Sequence, residues 1–492
     1  MMPSWVLKHR EPRTEIKLIN GVYYKYAVSY RYDKEKKRTS KITGHLLGKI
    51  TESGFAPSDK DSLRKQGEQI PKIDTKTYGI YHLFSNLLSE EIASLKASFG
   101  AEETEKLLIF SMMRFAHQSP IKRVPHYYAT DICSLHWHRR ALTEKAISQT
   151  LRYFGQKREE VVEWMRSLLD DTEKAKTNFV MMDSTHVPCL SEKLAVNAVG
   201  NSSFNYDPQI RLMYIFSSLQ QQPVYYRLIK GNITDSSSMP LCLKEFGAQN
   251  VVFVADKGFF CEINIKLLDG HDMQYIIPLR RNNPMINYTS PKKPSKEKAD
   301  RNYFFYQNRP IWYRQYECEG KHLITFLDEH LRVNEDCDYL RRMETLPEEY
   351  TYDSYVEKVN RFGTLTMIYK TRHELKPSEI YETYKQRNEI EVMFDSYKSY
   401  LDADATWMQD IYVMEGWLLA NFIAMAAYYK LSSRLKHAYL KQTKMLSKYS
   451  PKDIVEMSKS VWVNRMGGEW RISENTAKER ELFRKIGVEY VK

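Results

Sequence analysis

Residues 179–185 read FVMMDST, a short apolar β-type run that ends in an acid, Asp183. Working outward, IRLMYIFSS at 210–218 and PVYYRLIKG at 223–231 share its β-branched and aromatic richness and predict two more strands. SMPLCLKEFG then has helical spacing, and NVVFVADKGFF at 250–260 is another strand-like run, interrupted by Asp256. CEINIKLLDG reads as a second helix and MQYIIPLR as a fifth strand.

Three strands, a helix, a strand, a helix and a strand is the order of a ribonuclease H-like α/β sheet. In an open α/β sheet the strand ends are where side chains project into a site, and Asp183 and Asp256 sit at two predicted ends. Each alone is also an ordinary turn residue: Ser184 and Thr185 follow the first, Lys257 and Gly258 the second.

A third acid lies far downstream. Residues 384–398 read YKQRNEIEVMFDSYK, and at about 100° per residue Tyr384, Arg387, Glu391 and Lys398 fall within roughly 60° of one helix face. Ile390, Met393, Phe394, Tyr397 and Leu401 form a separate apolar arc, so the charged stripe borders the buried face. Solvated charges with i,i+4 pairing would give a similar stripe. Asp395 lies on it too, either as a partner for Lys398 or as a spare carboxylate beside Glu391. Set together, Asp183, Asp256 and Glu391 are a donor set for two Mg²⁺ ions, which can activate an attacking oxygen and stabilise a leaving oxygen at phosphorus. Arg and Lys beside them suit flanking phosphates.

Composition agrees with a polyanionic partner: 74 Lys+Arg against 62 Asp+Glu give a net charge of +12. The 492 residues suffice for two to four domains. There is no G-x-S-x-G, no G-x-x-x-x-G-K-[ST] and no Ser-His-Asp signature, which argues against a serine hydrolase or a P-loop enzyme. Six cysteines without a C-x-x-C pair oppose a zinc site and suit reduced thiols in a cytosol. The opening MMPSWVLKHREPRTE lacks the apolar core of a secretory signal, and GWLLANFIAMAAYY at 416–429 reads as a buried core helix rather than a membrane span.

Elsewhere, GVYYKYAVSYRY and TSKITGHLLGKI alternate like strands around the charged turn DKEKKR, a small basic hairpin. Helical spacing begins near residue 75, and TEKAISQTLRYFG has Thr143 as N-cap and Gly155 as stop. This block carries Lys122, Arg123, His136, His138, Arg139 and Arg140, a solvated surface or a DNA-contacting face. NYFFYQNRPIWYRQYECEGKHLITFL alternates like strands between the second and third acids.

Asp183 in MDST, Asp256 in ADKGF and the Y-x2-R-x3-E-x6-K run at Tyr384, Arg387, Glu391 and Lys398 resemble the DDE transposases of the insertion-sequence-four superfamily, in its branch with a long β-rich insertion. The resemblance implies an α/β chain whose ribonuclease H-like catalytic core, 175–281 and 360–435, is interrupted by a β-rich insertion at 282–359. Around it would lie a basic β-hairpin region at 1–60, a helical DNA-binding region at 61–174 and a carboxy-terminal helical region at 436–492. It implies a transposase that works by cut and paste at terminal inverted repeats: water hydrolyses one strand at the element's end, the freed 3′-OH attacks the opposite strand, and the excised end attacks target DNA. Asp183, Asp256 and Glu391 would hold two Mg²⁺ ions, with Mn²⁺ as a substitute, while Tyr384, Arg387 and Lys398 would contact the transposon end. An aromatic would hold a flipped base, Trp312, Trp407 and Trp417 being the candidates. The partners implied are double-stranded transposon-end and target DNA and a second copy in a homodimer, with no membrane, in a bacterial cytoplasm at the nucleoid. Two other readings are a DNA-binding regulator that keeps the fold without the chemistry, and a structure-selective nuclease.

Overall fold

The computed structural model describes residues 2–33, 38–60, 74–170, 178–194, 198–199, 208–247, 251–290, 292, 302–440, 449–466 and 469–490. They divide into two compact units, one of residues 1–74 with 464–471 and one of 75–463 with 472–492.

In the first unit, strands β1 (Thr14–Ile19), β2 (Val22–Asp33), β3 (Arg38–Thr51) and β4 (Gly54–Pro57) form an antiparallel sheet in sequence order. The alternating runs thus do pair as a hairpin, β2 with β3, within a larger sheet. Its tip, 34–37, lies outside the described residues. Lys25 is buried there and is neutralised by Glu11 at 2.9 Å.

The second unit is built on a large mixed sheet. Its centre is β5 (Asn178–Pro188), β6 (Pro208–Ser217), β7 (Gln222–Lys230), β8 (Val251–Ala255) and β9 (Gln274–Pro278), which lie side by side as β7-β6-β5-β8-β9. The first three are antiparallel and the last two run parallel to β5. This order is consistent with the ribonuclease H-like core expected from the sequence. The reason lies in the composition: every residue of β8 and β9 is buried, as in strands covered on both faces. Helices α6 (Asp235–Phe246) and α7 (Glu262–Gly270) supply the crossovers that parallel strands need. Alternation divides the strands between two apolar clusters: Val252, Val254 and Ile276 pack with Ile380 and Tyr381, whereas Phe253, Tyr275 and Ile277 join the main core.

The alternating segment between the second and third acids extends this same sheet. Strands β10 (Tyr303–Tyr306), β11 (Arg309–Cys318) and β12 (Lys321–Asp328) continue it through β13 (Thr364–Lys370), which pairs with β9. Beyond Asp328 the segment is helical, with α8 (Glu329–Thr345) capped by the Asp328 carboxylate and α9 (Tyr352–Lys358) capped by Thr351. The β-rich character expected across 282–359 therefore stops at Asp328. The carboxy-terminal stretch likewise holds two short strands, Trp462–Met466 and Glu469–Ile472, besides its helices.

Preceding the sheet are α1 (Gly79–Leu87), α2 (Ser89–Phe99), α3 (Ala101–His117), α4 (Glu144–Gln156) and α5 (Arg158–Asp170). Thr143 caps α4 as expected, its hydroxyl accepting from the Ala146 N–H at 3.2 Å. Gly155 does not stop the helix. It lies in the last turn, where a Cβ would collide with the Tyr412 carbonyl of α12 (Ile411–Leu440), and Gly416 meets the Leu151 carbonyl in the same way. Two glycines, each facing the backbone of the opposite helix, let α4 and α12 approach closely. The apolar stretch 416–429 lies within α12 and is largely buried in the main core. By length and composition alone this helix could cross a membrane, but most of its apolar window is buried inside the protein.

Candidate active site

Strand β5 does not end at Asp183. It continues to Pro188 because β6 stays paired with it through Pro188 and Gln209. Its other neighbour, β8, leaves earlier: the last paired residues are Met182 and Ala255. Asp183, further along β5, and Asp256, just past the end of β8, are the next residues in each segment, so they stand together at the mouth of a fork between two parallel strands. A position that looks like a strand end in sequence is a strand edge in space, and the outcome for the side chain is the same.

The run at 384–398 is two helices, α10 (Pro377–Gln386) and α11 (Asn388–Ser399), meeting at Arg387. At the junction the bonding tightens to i→i+3, with Arg387 N–H donating to Tyr384 O at 3.1 Å and Ile390 N–H to Arg387 O at 3.0 Å. A single unbroken stripe is therefore not formed, because Arg387 sits at a corner. From there its guanidinium donates to Asp183 Oδ2 at 3.0 Å and, with its other arm, to Glu391. Tyr384 lies beneath it, the guanidinium carbon 5.8 Å from the ring centre.

Asp256 completes the arrangement. With Lys257, Arg280, Arg281, Tyr384 and Arg387 it lines an open cavity of about 830 Å³. Lys257 and Arg280 are exposed on its wall, and Arg281 is paired with Glu335 at 2.9 Å. The fields of Asp183, Asp256 and Glu391 all bear on Arg387 and, together with Tyr384, hold its pKa above the ordinary value against the opposing effect of burial. Burial pushes the Asp183 carboxyl up to about 6, with Asp256 and Asp235 adding to it, while the Ser184 N–H and Arg387 pull the other way. Burial likewise raises the Tyr384 phenol.

Lys398 is at the far end of α11, and its charge falls on His186, three residues beyond Asp183 on β5. Asp395 forms no ion pair with Lys398 among the described residues, and its carboxylate acts instead on Tyr429 of α12. Of the three tryptophans, Trp417 is core, only 6 % exposed, and Trp312 packs against Tyr303 at 5.2 Å. Trp407 is 63 % exposed. His136 stacks on Tyr81 at 5.0 Å, and no cluster of His, Cys, Asp or Glu among the described residues is gathered to hold a metal.

The last point applies to the three acids as well, yet their chemistry fits a hard divalent cation. All the donors are carboxylate oxygens, and a cation from the chain itself already lies between Asp183 and Glu391. Sequence reasoning missed Asp235 on the first turn of α6. It takes hydrogen bonds from Ser184 and Arg211, but an acid just inside a helix gives no signal beyond ordinary capping.

Residues 174–426, slightly more than half of the chain, match the family model described as transposase DDE domain. No curated protein matches the chain. Among solved structures, the piggyBac transposase synaptic complex with hairpin DNA is similar at 9 % identity and a TM-score of 0.37, covering 77 % of this chain and 79 % of that one. The Mos1 transposase paired-end complex with left transposon end is similar at 12 % identity and a TM-score of 0.14, covering 32 % of this chain and 54 % of that one.

Proposed function

We propose that this chain, which belongs to the transposase DDE-domain family, is a metal-dependent DNA transposase of the insertion-sequence-four type. In this reading it excises and inserts an element by cut and paste at terminal inverted repeats. The observation that carries it is the fork at Met182 and Ala255, which puts Asp183 beside Asp256, with Glu391 linked to Asp183 through Arg387.

Asp183, Asp256 and Glu391 would hold two Mg²⁺ ions, or Mn²⁺ in their place. Bound there, the ions would activate the attacking oxygen and stabilise the leaving oxygen of an in-line displacement. The chain's own residues do the rest. Arg387 bridges Asp183 and Glu391 and offsets their mutual repulsion, and its guanidinium is of the kind that would grip a phosphate. Tyr384 stacks under that guanidinium and, with Lys257 and Arg280, lines the open cavity, where these cations would meet the phosphates of a DNA strand. Lys398, at the other end of α11, would contact the same transposon end. The helical region between Gly79 and Asp170 supplies further DNA contacts through Lys122, Arg123, Arg139 and Arg140, all exposed. The working unit is a homodimer on DNA in a bacterial cytoplasm.

The test is cleavage of a supercoiled plasmid carrying the gene with its flanking DNA. Asp183→Asn, Asp256→Asn and Glu391→Gln should each abolish Mg²⁺-dependent cutting while retaining DNA binding. Wild-type protein that binds the ends but never cuts them would make this a regulator, and cutting without strand transfer would make it a nuclease.

A further inference from the structure

Behind Asp183, on the other side of β5, lies a second polar cluster that the chemistry above does not use. Side chains alternate along a strand, so Ser184 and His186 face together, away from Asp183. Arg211 lies directly opposite His186 on β6. Its guanidinium donates to His186 Nε2 at 2.8 Å and to Ser184 Oγ at 3.3 Å, and forms an ion pair with Asp235. The Ser184 hydroxyl donates to the same Asp235 oxygen, Oδ1. Arg211 is 10 % exposed at the side chain, and its Nε is buried without a partner among the described residues.

The other carboxylate oxygen, Oδ2, abuts the turn after Asp256: a Cβ built on Gly258 would stand 3.3 Å from it. Asp235 is therefore bonded to one arm of the fork, β5 through Ser184, and stands close beside the other, with room at Gly258 for no side chain without crowding it. Its own place is fixed by α6, whose N-cap is Thr234. A buried arginine needs a counter-charge where it sits, so loss of Asp235 would leave Arg211 to move and β5 to move with it.

We propose that Asp235 is a positioning residue: clamped by Arg211 and Ser184, it sets the separation of Asp183 and Asp256 and so the affinity of the site for metal. This rests on the reading of those two aspartates as metal ligands. Groups that orient metal-binding side chains from behind are worth about 10- to 100-fold in metal affinity or activity.

The experiment is Mn²⁺ binding to the full-length, DNA-free protein by titration, in parallel with plasmid cleavage at varied Mg²⁺. Asp235→Ala should weaken Mn²⁺ binding about tenfold or more and shift half-maximal cleavage to higher Mg²⁺, with end-DNA affinity unchanged. Asp235→Glu should recover part of both. Arg211→Met should reproduce the loss, and adding Asp235→Ala to it should cost little more. If Asp235→Ala does not fold, Asp235→Asn, which keeps the volume and the acceptor for Ser184, takes its place with the same expectation. Unchanged Mn²⁺ affinity and Mg²⁺ dependence in the folded variants would overturn the clamp. Asp183→Asn in the same assay separates the two claims: if it still cuts, the reading of the metal ligands fails, whatever Asp235 does.

Discussion

Arg387 donates to Asp183 across 3.0 Å, so the chain itself sets a cation against the first acid of the site. The same guanidinium also bonds Glu391, and a divalent ion would compete with it for both carboxylates. Replacing Arg387 by Ala should therefore lower the melting temperature of the metal-free protein, and Mn²⁺ should restore more of it than it adds to wild type. Equal Mn²⁺-induced shifts in both proteins would show that Arg387 does not stand in the metal's place.

On DNA the same residue has another expected effect. Arg387→Ala should weaken binding to the transposon end and reduce the slope of log affinity against log salt by about 1. A fluorescence anisotropy series over salt concentration checks this, and an unchanged slope would make Arg387 purely structural.

The Asp183 carboxyl, pushed up to about 6 by burial, predicts a pH dependence with a definite sign. Its folded value lies above the unfolded one near 3.9, so its contribution is fully present below that value and is lost as pH rises through about 6. The metal-free protein should lose up to about 3 kcal/mol across that window, and Asp183→Asn should not. Metal binding, which needs the carboxylate, should weaken as pH falls below about 6. Parallel melting curves of wild type and Asp183→Asn would contradict this.

Packing of α4 on α12 gives a prediction unrelated to chemistry. Gly416→Ala drives a methyl into the Leu151 carbonyl and should cost about 1–3 kcal/mol or more. Denaturant unfolding measures it, and a neutral result would mean that the two helices are not in close contact.

Much of this site was legible in the sequence because strand patterning and the spacing of charged residues are local. The five core strands and two crossover helices stand where the apolar runs put them, and both aspartates lie at the sheet's fork. Long-range pairing was not legible. The alternation at 303–328 is the same whether those strands form their own layer or extend the main sheet, and only their partner β13 decides. Gly155 reads as a helix stop because its role depends on Tyr412, more than two hundred residues away. Helical periodicity could not reveal the corner at Arg387, since one tightened turn barely alters the angular pattern. Asp235 and Arg211 become visible only when β5, β6 and α6 are brought together.

If Asp183 ligates a catalytic metal, exchanging its oxygen for sulfur changes which ion supports cleavage. Sulfur binds Mg²⁺ poorly and accepts softer ions such as Mn²⁺ more readily. Plasmid cleavage by Asp183→Cys should be lost in Mg²⁺ and substantially regained in Mn²⁺. Equal cleavage in Mg²⁺ by the variant and the wild type would contradict the assignment.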